Sequence, residues 1–220
     1  MIFYITPANK DFFKETLDRY FQKRYDVFVV KRKWDIPHNE GREMDQFDTE
    51  FATHIIWEEN GKILGGARLL PTHQPYLLGD MFPELLENAI PRDPRVWEIS
   101  RFFIDLPPEF DRAANPAVRR LFYSIFEFGC LVNAKEFIAL TEPHIETMMR
   151  YINIPWERTS KIFTIPEGGQ MVSGKTRVSL DICNRIRETL PEQMIPTWIP
   201  LTPSLLKSVT QGSNQLSLLK

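Results

Sequence analysis

Apolar and polar positions divide the chain into short apolar runs and longer stretches of helical periodicity. Residues 2–6 (IFYIT) form a run of strand length, and over residues 12–28 aromatic and aliphatic side chains recur at helical spacing. Residues 53–59 and 62–71 flank Asn60-Gly61, a dipeptide typical of a two-residue β-hairpin. The first third of the chain is therefore expected to form a strand, an amphipathic helix and two antiparallel strands.

The remaining sequence continues this mixture of strands and helices. The pattern predicts, in order, a short helix at 79–87, a strand at 96–105, a helix at 116–134, a strand at 136–141, a short helix at 144–152, two extended stretches at 157–165 and 171–180 joined by a turn at 167–169, and a closing helix at 181–190. This order predicts an α/β fold with a single mixed central sheet flanked by helices. Residues 1–190 would form one domain, followed by a tail (191–220) that need not be fully ordered.

Composition narrows the class of protein without naming a function. The chain has 43% hydrophobic and 25% charged residues, as globular proteins do, and a formal net charge of −2, which gives no reason to expect nucleic-acid binding. It contains neither a membrane-length apolar run nor an evident signal peptide, so a cytoplasmic protein is expected. The four histidines are scattered and the two cysteines form no motif, so no metal site is expected.

A long polar stretch, residues 31–51, follows the first predicted helix. It carries Trp34, Asp45 and Asp48, and lies just beyond Arg24 and Phe28, which share one helix face at i, i+4 spacing. The two aspartates could be a solvated acidic loop or could converge on an amine or an arginine. Trp34 could anchor packing or present a face to an adenine ring or a sulfonium cation.

The segment WEISRF places Glu98, Ser100 and Arg101 in an otherwise apolar central strand. Buried charges need partners, and strict alternation puts Arg101 on the face opposite Glu98, so we expect a β-bulge there. Arg68 lies in another apolar strand and should meet an acid, with Asp45, Asp48 and Glu98 as the candidates. A purely structural ion-pair network and a polar active site remain equally open.

Several enzyme classes are disfavoured by missing motifs. The chain has no GxSxG, Walker A or GxGxxG sequence. Acetyl-coenzyme A-dependent N-acetyltransferases carry a Q/R-x-x-G-x-G/A turn that cradles pyrophosphate, whereas the corresponding stretch here, LPPEFDRAANPAVRR, has no glycine. An unusual acyltransferase remains.

Four blocks in register, RYDVFVVKRKW (24–34), EMDQFD (43–48), GGARLLPT (65–72) and WEISRF (97–102), resemble the acyl-homoserine lactone synthases of bacterial quorum sensing. The resemblance covers about residues 1–190. It implies a fold similar to the N-acetyltransferases, S-adenosylmethionine as the amine donor and substrate, an acyl-acyl carrier protein or acyl-coenzyme A as the acyl donor, and no cofactor. Acetyl transfer from acetyl-coenzyme A and a non-catalytic sensor remain the alternatives.

The resemblance also implies site residues. Glu98, Ser100 and Arg101 are expected at the catalytic centre, with Glu98 as the base, directly or through water, and backbone amides of the bulge stabilising the oxyanion. S-adenosylmethionine would be bound by Arg24, Phe28, Trp34, Asp45, Asp48 and Arg68. The acyl pocket would comprise Phe102, Thr141, Met148, Met149 and Ile152. At Thr141 a hydroxyl is associated with 3-oxo-acyl donors in the family, although a strand-end hydroxyl can simply bond backbone. A basic surface for an acidic carrier protein could use Arg119, Arg120, Lys135, Arg150 and Arg158.

Overall fold

The N-terminal part of the molecule pairs a strand with a helix whose winding changes along its length. The computed structural model describes residues 1–86, 90–106, 115–165 and 168–191. Strand β1 is followed by a 3₁₀ turn at Lys10–Phe13, by helix α1 and by a wider π-helical segment; the bounds are β1 Ile2–Ile5, α1 Lys14–Arg24 and the π-helical segment Tyr25–Lys31. The predicted strand and helix are confirmed, and the change of winding is a feature that apolar periodicity does not reveal.

The hairpin predicted around Asn60-Gly61 is present. Strands β4 and β5 meet at a turn in which both residues have positive φ, 49° and 75°, as a type I′ turn requires. The long polar stretch before them, treated above as a loop, contains a small hairpin of its own, with a Glu40-Gly41 turn. The bounds are β2 His38–Asn39, β3 Arg42–Glu43, β4 Thr53–Glu59 and β5 Lys62–Pro71.

The later elements follow the predicted order with shifted ends. The bounds are α2 Leu77–Met81, a 3₁₀ turn Pro83–Leu85, β6 Val96–Ile104, α3 Pro116–Leu131, β7 Glu136–Thr141, α4 Pro143–Tyr151, β8 Glu157–Arg158, β9 Phe163–Ile165, β10 Gly169–Arg177 and α5 Leu180–Glu188. The short helix predicted at 79–87 begins two residues earlier and ends at Met81, because Phe82 leaves the helical conformation ahead of Pro83. Residues 87 and 167 and nearly all of the predicted tail lie outside the described residues.

One mixed sheet organises the described part of the chain. Its strand order is β1-β4-β5-β6-β7-β10-β8, with β9 also on β10, and the pair β2-β3 stands apart. The β6–β7 pair is parallel, whereas the other pairs are antiparallel. The predicted single mixed sheet with flanking helices is confirmed. Among the described helices, none is long and apolar enough to cross a membrane.

Each face of the sheet has its own core. Helices α3 and α5 cover one face, where Leu121, Phe126 and Phe137 belong to the main apolar cluster, while α1 covers the other with Tyr20. Gly65 and Gly66 in β5 let both layers approach: a Cβ at Gly66 would lie 2.6 Å from the Tyr20 ring, and one at Gly65 would lie 3.2 Å from Leu121. The central strands are thus buried on both faces.

The sheet opens between its two parallel strands. The β6–β7 ladder ends at the pair Ile99–Ala139, although β6 continues to Ile104 and β7 to Thr141. Beyond this point β6 stays paired with β5 alone, through Gly66 and Phe103. A gap between the strands therefore begins at the middle of the sheet, next to the charged segment of β6.

Candidate active site

Six buried side chains form a closed ring of alternating charge. In order around the ring, the salt-bridge distances are Arg24–Glu43 2.6 Å, Glu43–Arg101 3.0 Å, Arg101–Asp45 2.6 Å, Asp45–Arg68 2.5 Å, Arg68–Asp48 3.0 Å and Asp48–Arg24 2.7 Å. None of these side chains is more than 7% exposed. Three positive and three negative charges balance, so the cluster can be buried without net charge.

The three arginines come from rigid elements and the three acids from one loop. Arg24 ends α1, Arg68 lies in β5 and Arg101 in β6. The Asp45–Asp48 loop segment is held by its own hydrogen bonds, from the backbone N–H of Asp45 to Asp48 (2.9 Å) and from that of Phe47 to Asp45 (2.8 Å). The structure thus brings together the predicted residues of the polar site and rules out a solvated acidic loop.

Glu43 is the member of the ring that sequence reasoning missed. Of the three acids considered for Arg68, Asp45 and Asp48 form salt bridges with it and Glu98 does not, while Glu43 occupies the place between Arg24 and Arg101. The small β2–β3 hairpin delivers it, with Glu43 fully buried at the end of β3. The sequence did carry a signal for it: residues 43–48 contain three acids, and three arginines lie in otherwise apolar elements, so each arginine could have been assigned one acid.

Arg101 reaches the ring through the predicted bulge. Gly66 faces Phe103 and Arg68 faces Ser100, so β6 carries one extra residue against β5, and Arg101 has a φ of +52°. The bulge turns the Arg101 side chain towards Glu43 and Asp45, on the same side as Ser100, whose Oγ accepts from Arg68 Nε at 3.0 Å. The expected bulge is therefore confirmed.

Charges in the ring shift the protonation of their neighbours. Burial by itself would raise the pKa of Asp48, but the nearby Arg24 and Arg68 hold it well below its usual value. The same holds for Asp45: burial would raise its pKa, but Arg68 and Arg101 outweigh this effect and lower it. Behind the ring, burial lowers the pKa of His54 to about 3, which keeps this imidazole neutral next to two arginines.

Glu98 is fully buried and binds backbone amides rather than arginine side chains. Its Oε2 accepts from the N–H of Leu77 at 3.0 Å and its Oε1 from that of Leu78 at 2.6 Å. Burial raises the pKa of Glu98 to about 7, against the opposing effects of the Leu78 amide and of Arg68. A carboxyl group that titrates near neutral pH suits a general base, and Glu98 lies two residues before Ser100 on the same face of β6.

Two aromatic rings lie beside the ring of charges. Phe28 and Trp34 stack with centroids 5.0 Å apart, and the Arg101 guanidinium carbon lies 5.9 Å from the centre of the Phe28 ring. Arg32 covers both rings and forms an ion pair with Glu142 at the start of α4. Phe28 lies in the π-helical segment. The backbone N–H of Trp34 donates to the backbone carbonyl of Phe28 at 2.9 Å.

A cavity of about 350 Å³ joins the polar site to an apolar compartment. Its polar end is lined by Phe28, Arg32, Trp34, Asp45, Ser100 and Arg101, and its apolar end by Phe102, Phe122, Phe126, Ala139, Thr141, Met149 and Trp156. These residues belong to packing clusters on opposite faces of the sheet. The cavity therefore passes through the gap where β6 and β7 separate.

The structure divides the predicted acyl-pocket residues. Phe102, Thr141 and Met149 line the cavity, whereas Met148 and Ile152 lie in the main core and are not among its lining residues. The aromatic side chains of α3, Phe122 and Phe126, line it as well, and the i, i+4 spacing of two phenylalanines was the available signal. Four of the residues predicted for substrate binding or catalysis do not line the cavity: Arg24, Asp48, Arg68 and Glu98.

The residues suggested for a basic surface are largely compensated. Arg150 and Arg158 both contact Glu146, and Lys135 lies 2.6 Å from Asp93. Arg119 lies over the ring of Tyr151, and Arg120 is close enough to the N-terminal amine to contribute to the lowering of its pKa. Three of the five suggested side chains are therefore paired with acids.

The matches to known proteins agree with this architecture. A family model described as autoinducer synthase matches residues 9–169. An acyl-homoserine-lactone synthase of Acinetobacter nosocomialis is 35% identical over 170 residues, 73% of this chain and 92% of that protein. An isovaleryl-homoserine lactone synthase of Bradyrhizobium diazoefficiens is 35% identical over 106 residues, 47% of this chain and 48% of that protein, about half the length of that relative.

Solved structures show the same fold. The CoA-dependent acyl-homoserine lactone synthase BjaI, solved with SAM and isopentyl-CoA, has a TM-score of 0.78 at 22% identity, over 90% of this chain and 92% of that one. A putative N-acetyltransferase from Lactobacillus plantarum has a TM-score of 0.52 at 13% identity, over 81% and 98%. The fold is thus of the N-acetyltransferase type, as predicted. Within that fold, the chain belongs to the autoinducer synthase family, which confirms the resemblance seen in the sequence.

Proposed function

We propose that this protein transfers an acyl group from a carrier thioester to the amine of S-adenosylmethionine and then closes the product to an acyl-homoserine lactone. One observation carries the proposal: a single cavity connects an ion-pair ring to an apolar compartment through the gap between β6 and β7. A zwitterionic amine and an acyl thioester entering from opposite ends would meet beside Ser100 and Arg101.

Asp45 and Arg101 are the two members of the ring that line the cavity. The Asp45 carboxylate can accept from the substrate ammonium, and the Arg101 guanidinium can donate to its carboxylate. Arg24, Glu43, Asp48 and Arg68 would hold these two groups in place from behind. Phe28 and Trp34 offer flat faces for the adenosyl group and the sulfonium cation.

Glu98 is the proposed general base. It does not line the cavity, so the ammonium proton would pass to it through an intervening water. The freed nitrogen then attacks the thioester carbonyl; a C–N bond forms, the C–S bond breaks and the thiol leaves. Amides of the bulge, where β6 has no β7 partner, would stabilise the tetrahedral oxyanion.

Ring closure follows without a second protein nucleophile. The substrate carboxylate attacks its own γ-carbon, the C–O bond forms as the C–S⁺ bond breaks, and methylthioadenosine leaves as a neutral thioether. Arg101 would align this carboxylate, so positioning supplies most of the rate increase in this step.

The acyl chain would extend into the apolar end of the cavity, between α3, α4 and β7. We infer that the acyl group is carried on an acyl carrier protein or coenzyme A, and that the enzyme is cytoplasmic. S-adenosylmethionine is consumed as a substrate in this scheme and needs no additional cofactor.

The test is stoichiometric. Purified protein incubated with S-adenosylmethionine and a series of acyl-coenzyme A and acyl-carrier thioesters should release methylthioadenosine and free thiol in equal amounts, and mass spectrometry should find the acyl-homoserine lactone. Asp181→Asn, at an exposed pair that does not line the cavity, is the matched control and should keep full activity. Thiol release without methylthioadenosine would point instead to plain acyl transfer.

A further inference from the structure

The turn that supplies the amides to Glu98 is held by another carboxylate. Asp80 Oδ2 accepts from the backbone N–H of Tyr76 at 3.1 Å, and the Asp80 N–H donates back to the Tyr76 carbonyl at 3.1 Å. Three consecutive N–H groups are therefore shared between two carboxylates: that of Tyr76 goes to Asp80, and those of Leu77 and Leu78 go to Glu98. The position of the turn determines whether both amides reach Glu98.

The same turn is fastened from outside. Arg92 lies 2.5 Å from Asp80 and 5.0 Å over the ring of Tyr76, and the Tyr76 hydroxyl donates to the Pro91 carbonyl at 3.0 Å. A side chain at Gly79 would meet the Tyr76 ring at 2.3 Å, so glycine is needed for the ring to lie across the turn. These contacts fix the conformation of the Tyr76–Asp80 turn.

We propose that Asp80 is a positioning residue for Glu98, which keeps the Tyr76–Asp80 turn seated so that two amides stay on the Glu98 carboxylate. This rests on the proposed function, in which Glu98 is the base. Asp80 touches neither the cavity nor Glu98, and so acts only through the backbone of residues 76–78.

The physical consequence concerns the protonation of Glu98. Hydrogen bonds from amides favour its charged form, and their loss would raise its pKa further. The other groups that face Glu98 are Arg68 from β5, Asp45 from the polar loop and the Tyr76 hydroxyl from the turn, and none of them is removed by a change at Asp80. A change at Asp80 should therefore shift the pH dependence rather than abolish turnover.

The experiment compares Asp80→Ala with Asp80→Asn. Asparagine keeps an oxygen that accepts from the Tyr76 N–H, whereas alanine does not. Thiol release that depends on S-adenosylmethionine is measured from pH 5.5 to 9. For Asp80→Ala we expect the acidic limb of the pH–activity profile to move to higher pH, while the plateau at alkaline pH is retained. Activity at pH 7 should fall about 3- to 10-fold, the size expected for a weakened hydrogen bond to a charged group. Asp80→Asn should follow the wild type.

Two results would overturn the proposal: an unchanged midpoint in Asp80→Ala, or an equal loss of activity at every pH, which would indicate general damage. If the wild-type protein shows no S-adenosylmethionine-dependent thiol release, the proposed function itself fails. The titration midpoint of Glu98 is then measured without substrate. The difference in unfolding free energy between the wild type and Glu98→Gln is followed against pH, and the same difference is measured in the Asp80→Ala background. The proposal requires that midpoint to rise with Asp80→Ala.

Discussion

Arg24 and Asp48 face each other through two parallel hydrogen bonds, Nη1–Oδ1 at 2.7 Å and Nη2–Oδ2 at 2.9 Å, with the arginine side chain fully buried and the aspartate 1% exposed. The forked guanidinium matches the two oxygens of the carboxylate, and lysine could not reproduce this geometry. This pair joins the end of α1 to the polar loop and thereby closes the ring of charges.

The first prediction concerns this pair. Asp48→Asn removes the charge that both Arg24 and Arg68 face, leaving buried guanidinium groups undercompensated, and should lower the free energy of unfolding by about 3–5 kcal/mol. Denaturant unfolding measures the loss. Asp18→Asn, which breaks an exposed pair with Arg42, is the control and should have a much smaller effect. Equal effects of the two variants would mean that the ring contributes little to stability.

The second prediction separates the two roles of Glu98. Glu98→Gln removes the basic group while keeping the shape of the side chain, so turnover should fall roughly 10²–10⁴-fold. The fold should survive, because Glu98 has no salt bridge among the described residues and its partners are two amides. Single-turnover thiol release and thermal unfolding are measured on one preparation. A near-normal rate with a large loss of stability would assign Glu98 to structure.

The third prediction uses the pH dependence of stability. Burial raises the pKa of Glu98 from about 4.5 in the unfolded chain to about 7 in the folded protein. Its contribution to stability is therefore fully present below pH 4.5 and is lost as pH rises through 7, by an amount on the order of 3 kcal/mol. The difference in unfolding free energy between wild type and Glu98→Gln should decrease over this range. A flat difference would show that Glu98 titrates normally.

The fourth prediction concerns Thr141, which lines the cavity at the end of β7. Its hydroxyl can donate to a 3-oxo group on the acyl chain, a bond worth about 0.5–1.5 kcal/mol. Thr141→Val should therefore lower kcat/KM for 3-oxo-acyl donors about 2- to 10-fold and leave unsubstituted donors unchanged. If the wild type already prefers unsubstituted or branched donors, this interpretation of Thr141 is wrong.

The fifth prediction contrasts two adjacent methionines. Both belong to the main apolar cluster, but of the two only Met149 also lines the cavity. Met149→Ala should enlarge the apolar compartment and shift the preferred donor to a longer or bulkier acyl chain. Met148→Ala should lower stability by about 2–5 kcal/mol and keep the donor preference. Competition assays with mixed acyl thioesters, together with denaturant unfolding, distinguish the two; a changed preference in Met148→Ala alone would contradict this assignment.

Local rules predicted the elements that depend on local chemistry. The Asn60-Gly61 hairpin and the bulge at Arg101 followed from turn geometry and from the conflict between strand alternation and charge. Glu43 was not predicted, because its partner Arg101 is 58 residues away and only the β2–β3 hairpin brings the two together. The binding of Glu98 to amides was missed for a similar reason, since backbone donors have no signature in side-chain sequence.

The cavity could be predicted only in part. Thr141 and Phe102 were placed correctly by their strands, but the choice between Met148 and Met149 depends on the rotation of α4, which a nine-residue helix with apolar residues on several sides does not specify. The gap between β6 and β7 depends on where a parallel ladder stops, and no sequence rule gives that position.

The sign of charge in the ring follows the architecture: the scaffold supplies only cations, from α1, β5 and β6, and the polar loop supplies only anions within six residues. Without the loop, three guanidinium groups would face one another inside the molecule and repel. The loop thus acts as the counterion of the three scaffold arginines. A substitution that removes one of these charges therefore leaves a buried charge on the other side of the ring without compensation.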